Sequence, residues 1–201
     1  AVTIISGSSG VGKTTTGSAF MKEAAERDER SVIYLFEETT GTFTHRAESI
    51  GTPIGEMREE GNLEIREVEP LNLSADEFAA NVRREVEEGG ASMVMIDGLS
   101  GYRMSVRGDE EALVKDLHSL CRYCKNMGVT VVLTDDVEGV TGKFEPTSAR
   151  ISYLADNLMF LRYLELEGEL RKAAGVLKKR ASDFERGLRE FRITENGVEV
   201  D

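Results

Sequence analysis

Apolar runs and amphipathic stretches alternate from the N-terminus to about residue 134. Short runs rich in β-branched and aromatic residues predict strands at 2–5, 31–36, 63–68, 93–97 and 129–134. Helical periodicity between them predicts helices at 14–26, in a stretch that ends near residue 60, at 74–88 and at 109–127. This alternation predicts an α/β fold with a largely parallel central sheet flanked by helices.

The pattern changes after residue 150. The runs 158–166 and 170–177 flank Glu167, Gly168 and Glu169, which predicts a β-hairpin. The run 188–194, a turn at Asn196 and Gly197, and the run 198–200 predict a second hairpin. We therefore expect an antiparallel C-terminal extension of the sheet. The most flexible piece of the chain is predicted to be either the segment 98–108 or the segment 138–150, both of which contain glycine.

A phosphate-binding motif lies between the first predicted strand and the first predicted helix. Its pattern G-x-x-x-x-G-K-[ST] lets backbone N–H groups turn inward around phosphates, and the helix N-terminus adds its positive dipole end. Lysine supplies a cation, and the threonine hydroxyl is a ligand for Mg²⁺. We expect the nucleotide-binding residues to be Gly7, Ser8, Ser9, Gly10, Val11, Gly12, Lys13, Thr14 and Thr15.

Three carboxylates follow predicted strands, at the edge where a phosphate-binding site lies. Asp97 ends the run 93–97, and its position suits a second ligand of Mg²⁺. Glu37 and Glu38 come directly after the run 31–36. Hydrolysis of a nucleotide needs a carboxylate that orients or deprotonates the attacking water. Either glutamate could do this, so the pair is the predicted catalytic group.

Composition limits the possible partners. The 201 residues suffice for one domain, and the chain begins almost on its first strand, as a domain excised from a longer polypeptide would. With 25 Lys and Arg against 37 Asp and Glu, the net charge is −12, which disfavours nucleic acid and anionic membranes. No run approaches a membrane span, so we expect a cytoplasmic protein. Cys121 and Cys124 are expected to be packing or surface residues.

Several stretches, in order, resemble the KaiC-like ATPase domains of the RecA superfamily of P-loop NTPases. Besides the phosphate loop and residues 36–38, they are the run 94–97 with Gly98, Leu99 and Ser100, the stretch 151–156 leading into 161–163, and 175–180 with 189–191. The resemblance covers nearly the whole chain. It implies a ring-forming ATPase, usually a hexamer with ATP between subunits, often with two such domains in one polypeptide.

The resemblance also implies roles for individual residues. Lys13 and Thr14 would bind the phosphates and Mg²⁺, Glu37 and Glu38 would be catalytic, and Lys178 with Arg180 would reach a neighbour's nucleotide. Clock members of the family phosphorylate themselves on adjacent hydroxyl residues, and the matching place here is Ser152 and Tyr153, with Thr147 upstream. The second of these positions is tyrosine instead of threonine.

Two departures from the family pattern affect the expected site. Ala181 follows Arg180 where the family usually has glycine, so the backbone there is expected to differ. RecA-like proteins often place a residue that senses the γ-phosphate where Thr134 precedes Asp135 and Asp136. A carboxylate beside phosphates is unfavourable unless a cation intervenes.

The function expected from the resemblance is ATP binding and slow ATP hydrolysis with Mg²⁺, controlling a ring or a regulatory protein partner, with autophosphorylation as an additional activity. One alternative is a DNA-dependent recombinase or helicase of the same superfamily, although acidic residues follow Arg103 and Arg107 in the segment that would bind DNA. Others are a regulatory module that binds ATP without turnover and a small-molecule kinase, for which an arginine-rich lid is not evident.

Overall fold

The computed structural model describes residues 1–69, 71–137, 149–180, 183–185 and 187–201. The strands are β1 (Val2–Gly7), β2 (Ser31–Leu35), β3 (Leu63–Glu67), β4 (Leu73–Ser74), β5 (Met93–Asp97), β6 (Val106–Arg107), β7 (Thr130–Asp136), β8 (Asn157–Leu166), β9 (Glu169–Lys179), β10 (Arg189–Thr194) and β11 (Gly197–Val200). The helices are α1 (Lys13–Glu26), α2 (Thr40–Ser49), α3 (Ile54–Glu59), α4 (Ala75–Glu87), α5 (Leu99–Ser105), α6 (Glu110–Asn126) and α7 (Ala149–Ser152).

Within the described residues, nine strands form one sheet in the order β11-β10-β9-β8-β1-β7-β5-β2-β3. The pairs from β8 to β3 are all parallel, whereas β9, β10 and β11 are antiparallel additions. The α/β class, the parallel sheet and the antiparallel C-terminal extension that the sequence predicts are thus confirmed. In register, Gly7 lies beside Asp136 and Leu35 beside Asp97, so the carboxyl ends of these strands share one edge.

The two predicted hairpins are present, with one shift of a single residue. Glu167 and Gly168 connect β8 to β9, both with positive φ (53° and 79°), as a tight two-residue turn requires. In the second hairpin Thr194 pairs with Gly197. The turn therefore consists of residues 195 and 196, and the prediction of a turn at Asn196 and Gly197 was displaced by one position.

The segment 98–108, one of the two alternatives for a flexible piece, has regular secondary structure instead. It contains α5 and β6, and β6 pairs with β4. Leu99, Tyr102 and Val106 are all buried, and these apolar side chains hold the segment on the core. The prediction gave more weight to three glycines than to this apolar spacing. Residues 138–148 of the other predicted flexible segment lie outside the described residues.

The capping box predicted at the start of α4 is present. The Ser74 side chain accepts a hydrogen bond from the backbone N–H of Glu77, whose side chain accepts one from the N–H of Ser74, so the predicted capping box caps α4.

Cys121 and Cys124 are buried on α6, and burial raises their thiol pKa values to about 12 and about 11. They are packing residues. Among the described residues, every helix is too short or too polar to cross a bilayer.

An aromatic cluster joins the end of β2 to α4 and α5. Phe78 lies 5.0 Å from Tyr34, 5.5 Å from Phe36 and 5.5 Å from Tyr102, measured between ring centroids. Phe36 and Tyr102 also meet edge to face at 5.6 Å. Since Phe36 directly precedes Glu37, this aromatic cluster fixes the point at which the two glutamates leave the sheet.

Replacing the central ring of the cluster should destabilise the domain. We expect Phe78→Ala to lower the free energy of unfolding by about 3–5 kcal/mol, because Phe78 is fully buried and a cavity would remain. Denaturant unfolding measures the change, with Phe20→Ala, whose side chain is 37% exposed, as the control. Equal effects of the two substitutions would contradict the central role of Phe78.

Candidate functional site

A cavity of about 460 Å³ opens at the carboxyl edge of the parallel sheet. The phosphate loop, the end of β2, the end of β5 and the end of β7 converge on it. It is lined by Ser9, Gly10, Gly12, Lys13, Thr14, Thr15, Glu37, Glu38, Arg46, Ile50, Asp97, Thr134, Asp136 and Ile193. The predicted residues Gly7, Ser8 and Val11 belong to the same loop, beneath this surface, and are buried.

The phosphate loop fits tightly against the C-terminal strands. A Cβ on Gly12, whose φ is +118°, would lie 2.7 Å from Ile193 Cδ1, and a Cβ on Gly7 would lie 2.5 Å from the carbonyl oxygen of Leu161. A side chain at position 7 would collide with this backbone oxygen, and one at position 12 would be strained by the positive φ as well as crowded by Ile193. The Tyr163 hydroxyl donates a 3.0 Å hydrogen bond to the carbonyl oxygen of Gly10. The C-terminal strands β8 and β10 thus help to hold the loop in shape.

Lys13 lies within the loop and has three hydrogen-bond acceptors. Its Nζ donates to the carbonyl oxygens of Gly7 and Ser8, both at 3.0 Å, and to Asp136 Oδ1 at 2.6 Å. The three donors of the ammonium group are therefore all engaged. The sequence indicated that a carboxylate at this strand end would need a cation beside it, and Lys13 is that cation. A phosphate group would compete with Asp136 for Lys13.

Asp97 connects the phosphate loop to two strands. Thr14 Oγ1 lies 2.9 and 3.0 Å from its two carboxylate oxygens, and Thr134 Oγ1 donates to Oδ1 at 2.8 Å. Burial raises the pKa of Asp97 to about 6, although both threonine hydrogen bonds act in the opposite direction. Thr134 Oγ1 also accepts the N–H of Gly98 at 2.7 Å, so protein groups engage this hydroxyl on both sides. Its role as a γ-phosphate sensor stays a prediction.

Glu37 and Glu38 are held by different partners. Oε1 of Glu37 accepts the N–H of Gly101 at 2.9 Å, and the rest of its side chain lies on Gly98 and Gly101, where a Cβ would come within 2.8 and 2.7 Å of it. Glu38 instead forms a two-pronged ion pair with Arg46, at 2.6 and 2.7 Å. Among the described residues, Oε2 of Glu37 has no hydrogen-bond partner, so this oxygen can accept a further hydrogen bond.

Lys178 and Arg180 lie at the opposite edge of the sheet from their own phosphate loop. Lys179 pairs with Asn157 and Asn157 with Thr3, four residues before the loop begins at Gly7. At the usual rise along a strand this separation is about 13 Å. The structure therefore does not bring these two cations into the cavity of the same chain.

At that edge, local carbonyl groups hold both cations. Lys178 Nζ donates to the carbonyl oxygen of Ser152 at 3.1 Å, and Arg180 donates to that of Tyr153 at 3.2 Å. Arg180 also lies 3.7 Å from Asp156. Tyr153 is 46% exposed. Thr147 and Ala181, which the sequence analysis also singled out, lie outside the described residues.

Sequence reasoning missed two apolar residues of the cavity lining, Ile50 and Ile193, and three residues that act at the site through hydrogen bonds. Arg46 is eight residues beyond Glu38, and a lone arginine in a predicted helix gives no sign that it will pair with a carboxylate near a phosphate loop. Tyr163 reaches Gly10 across 153 residues of chain. Gly101 seats Glu37 through a helix that the sequence did not predict. Tyr163 alone lies in a stretch that the family resemblance had marked.

Comparison with known proteins agrees with this geometry. A family model described as "ATPase: KaiC" matches residues 1–201. The chain belongs to the KaiC ATPase family. It is 28% identical over 99% of its length to the circadian clock oscillator protein KaiC of Picosynechococcus sp., and 27% identical over the same share to KaiC 1 of Synechocystis sp. and to KaiC of Acaryochloris marina.

The coverage of these relatives is unequal. The alignments span 99% of this chain but 38% of each relative. The chain thus corresponds to well under half of each clock protein, and clock activity is a property of those whole proteins. What the family membership establishes here is a nucleotide-binding ATPase domain with a RecA-like P-loop fold.

The Asp136 carboxylate should weaken nucleotide binding, because it forms an ion pair with Lys13, the residue expected to bind the phosphates. We expect Asp136→Asn to lower the Kd for ATP about fivefold, the effect of removing an ion pair worth on the order of 1 kcal/mol. Isothermal calorimetry measures the change, and Asp116→Asn on the exposed side of α6 is the control. Weaker binding in Asp136→Asn would mean that this carboxylate contributes to binding.

Proposed function

We propose that this chain binds ATP and hydrolyses it slowly, and that nucleotide state controls a ring of copies or a regulatory protein partner. The observation that carries the proposal is the convergence, in one cavity, of three parts: the lysine of the phosphate loop, the Thr14–Asp97 pair and a carboxylate at the end of β2. These are the parts that phosphoryl transfer to water needs.

Thr14 and Asp97 are the residues that would hold Mg²⁺. Their oxygen atoms lie together, oxygen ligands are the ones that Mg²⁺ prefers, and the buried Asp97 carboxylate gains from a cation that offsets the cost of its burial. The residues present therefore fit the ion. When bound, it would neutralise charge on the phosphate oxygens.

The chain's own groups would do the rest. The backbone amides of residues 7–15 and the ammonium of Lys13 would bind the phosphates, after Lys13 releases Asp136. Glu37 is the better placed of the two glutamates to orient or deprotonate water, because one of its oxygens is fixed by Gly101 and Glu38 is paired with Arg46. Hydrolysis needs both the bound phosphate and this oriented water.

Lys178 and Arg180 would complete the site of a neighbouring copy. Their position at the edge opposite the phosphate loop supports this, because a strand length of the sheet separates them from the nucleotide site of their own chain. Cations supplied across an interface stabilise charge that develops on the transferring phosphoryl group. The proposal therefore includes a homo-oligomer, a hexamer by analogy with the family, with ATP between subunits and little activity in the monomer.

Removal of Arg180 tests this arrangement. We expect ATP hydrolysis only in the oligomeric fraction of size-separated protein, and a loss of about 1,000-fold or more in Arg180→Ala, in the range seen for arginines that stabilise the transition state of phosphoryl transfer. Release of phosphate from γ-labelled ATP in each fraction is the measurement. The control is Arg189→Ala, which removes an exposed arginine paired with Glu185.

Each other outcome of that assay points to a different function. Equal turnover in monomers, or full activity in Arg180→Ala, would contradict the shared site. ATP binding without turnover in any fraction would favour the regulatory module that does not hydrolyse. Label retained on Ser152 would add self-phosphorylation, which would have to use a neighbour's nucleotide because Ser152 lies at the same edge as Lys178.

A methyl group on Gly101 should displace Glu37 without touching the phosphate loop. A Cβ there would lie 2.7 Å from Glu37 Cγ and 2.8 Å from Phe36 Cβ. We expect Gly101→Ala to slow hydrolysis at least tenfold, because small misplacements of a reacting group are costly, while the Kd for ATP changes less than about threefold. Steady-state kinetics and calorimetry check the two values. Unchanged hydrolysis would argue against Glu37 as the carboxylate that acts on water.

A further inference from the structure

Arg46 and Glu38 form a paired unit inside the cavity. Arg46 lies near the end of α2, and its guanidinium reaches back to Glu38, just beyond the end of β2. Both prongs of the fork are short, 2.6 and 2.7 Å, and the Glu38 side chain is only 16% exposed. Two parallel, charge-assisted hydrogen bonds of this kind fix orientation as well as charge.

The pair lies beside the residues proposed to hold the metal. Glu38 and Arg46 line the same cavity as Lys13, Thr14 and Asp97. Their charges act on the Asp97 carboxylate with opposite signs. A Glu38 without its partner would therefore add a negative charge where phosphates have to bind.

The charged side chains that line the cavity carry more negative than positive charge. The side chains lining the cavity include four carboxylates, from Glu37, Glu38, Asp97 and Asp136, and two cations, Lys13 and Arg46. The lining is thus already acidic before a triphosphate, itself a polyanion, enters. Without Arg46, Lys13 would be the one cation among these lining side chains, and all four carboxylates would face the phosphates.

We propose that Arg46 is a positioning residue of the nucleotide site: it clamps Glu38, cancels the charge of that carboxylate and keeps it away from the phosphates. This inference rests on the proposed ATP-binding function and deepens it. The clamp separates the roles of two adjacent glutamates, because Glu38 is held by Arg46 while Glu37 keeps an oxygen for the reaction. Arg46 acts through Glu38 and not as a ligand of the nucleotide.

A double-mutant comparison tests this proposal directly. The variants are Arg46→Gln, Glu38→Gln and the double variant, each prepared as the full chain, and the measured quantity is the Kd for ATP, with Mg²⁺ and with a chelator. We expect Arg46→Gln to weaken binding about tenfold because it leaves Glu38 unpaired. The double variant removes both charges, so its Kd should return to within about threefold of the original value.

A different result would mean that Arg46 binds the phosphates directly or has no role in binding. If Arg46 leaves Glu38 and binds the phosphates itself, the double variant will bind ATP as weakly as Arg46→Gln, and the proposal fails. An unchanged Kd in Arg46→Gln also overturns it. Arg58→Gln, on the exposed face of the neighbouring α3 and outside the cavity lining, is the matched control and should have no effect.

Two further measurements separate positioning from loss of structure and from failure of the proposed function. Arg46→Lys keeps the charge but loses the two-pronged geometry, so its Kd for ATP should lie between the original value and that of Arg46→Gln. A general folding defect would instead appear as a lower thermal unfolding temperature in all Arg46 variants. In kinetics, Arg46→Gln should raise KM more than it lowers kcat. If the unmodified chain binds ATP without hydrolysing it, the hydrolysis proposal fails while the binding test of Arg46 stands.

Discussion

The site depends on the hydrogen bonds made to one buried carboxylate, that of Asp97. It ends a strand that is buried along its length, and it accepts hydrogen bonds from Thr14 of the phosphate loop and Thr134 of the adjacent strand β7. A buried anion is costly unless hydrogen bonds or a cation satisfy it. Here the hydrogen bonds tie the phosphate loop, β5 and β7 together, and the remaining cost favours binding of a cation at that point.

The second constraint is the path of the chain through the sheet. Parallel strands bring their carboxyl ends to one edge, where the loop and the carboxylates meet. The β8–β9 hairpin then returns the chain to the other edge, so Lys178 and Arg180 lie far from their own loop. A site that uses both sets of residues has to be formed by two copies. Strand β10 of the antiparallel extension packs on the loop through Phe191 and Ile193, next to Gly12.

The features that the sequence predicted depend on nearby residues, whereas most of those that it missed depend on residues far apart in the chain. The phosphate loop, the capping box at Ser74 and the strand ending in Asp97 depend on neighbouring residues, and each was predicted at nearly its observed place. The helix α5 was missed because its two buried apolar side chains, Leu99 and Tyr102, become informative only against the core that they contact. The Lys13–Asp136 and Tyr163–Gly10 contacts join residues 123 and 153 positions apart, and the Arg46–Glu38 pair depends on how α2 folds back. No local pattern specifies such pairs.

The central claim is that a loop from one copy and cations from another form one ATPase site, and mixing two inactive variants tests it most directly. Lys13→Ala removes the loop lysine and keeps Arg180, whereas Arg180→Ala does the reverse. In random mixed oligomers, about a quarter of the interfaces would join an intact loop to an intact Arg180. The account predicts that mixing restores about a quarter of the original ATP hydrolysis. No recovery in oligomers verified to contain both variants would contradict it.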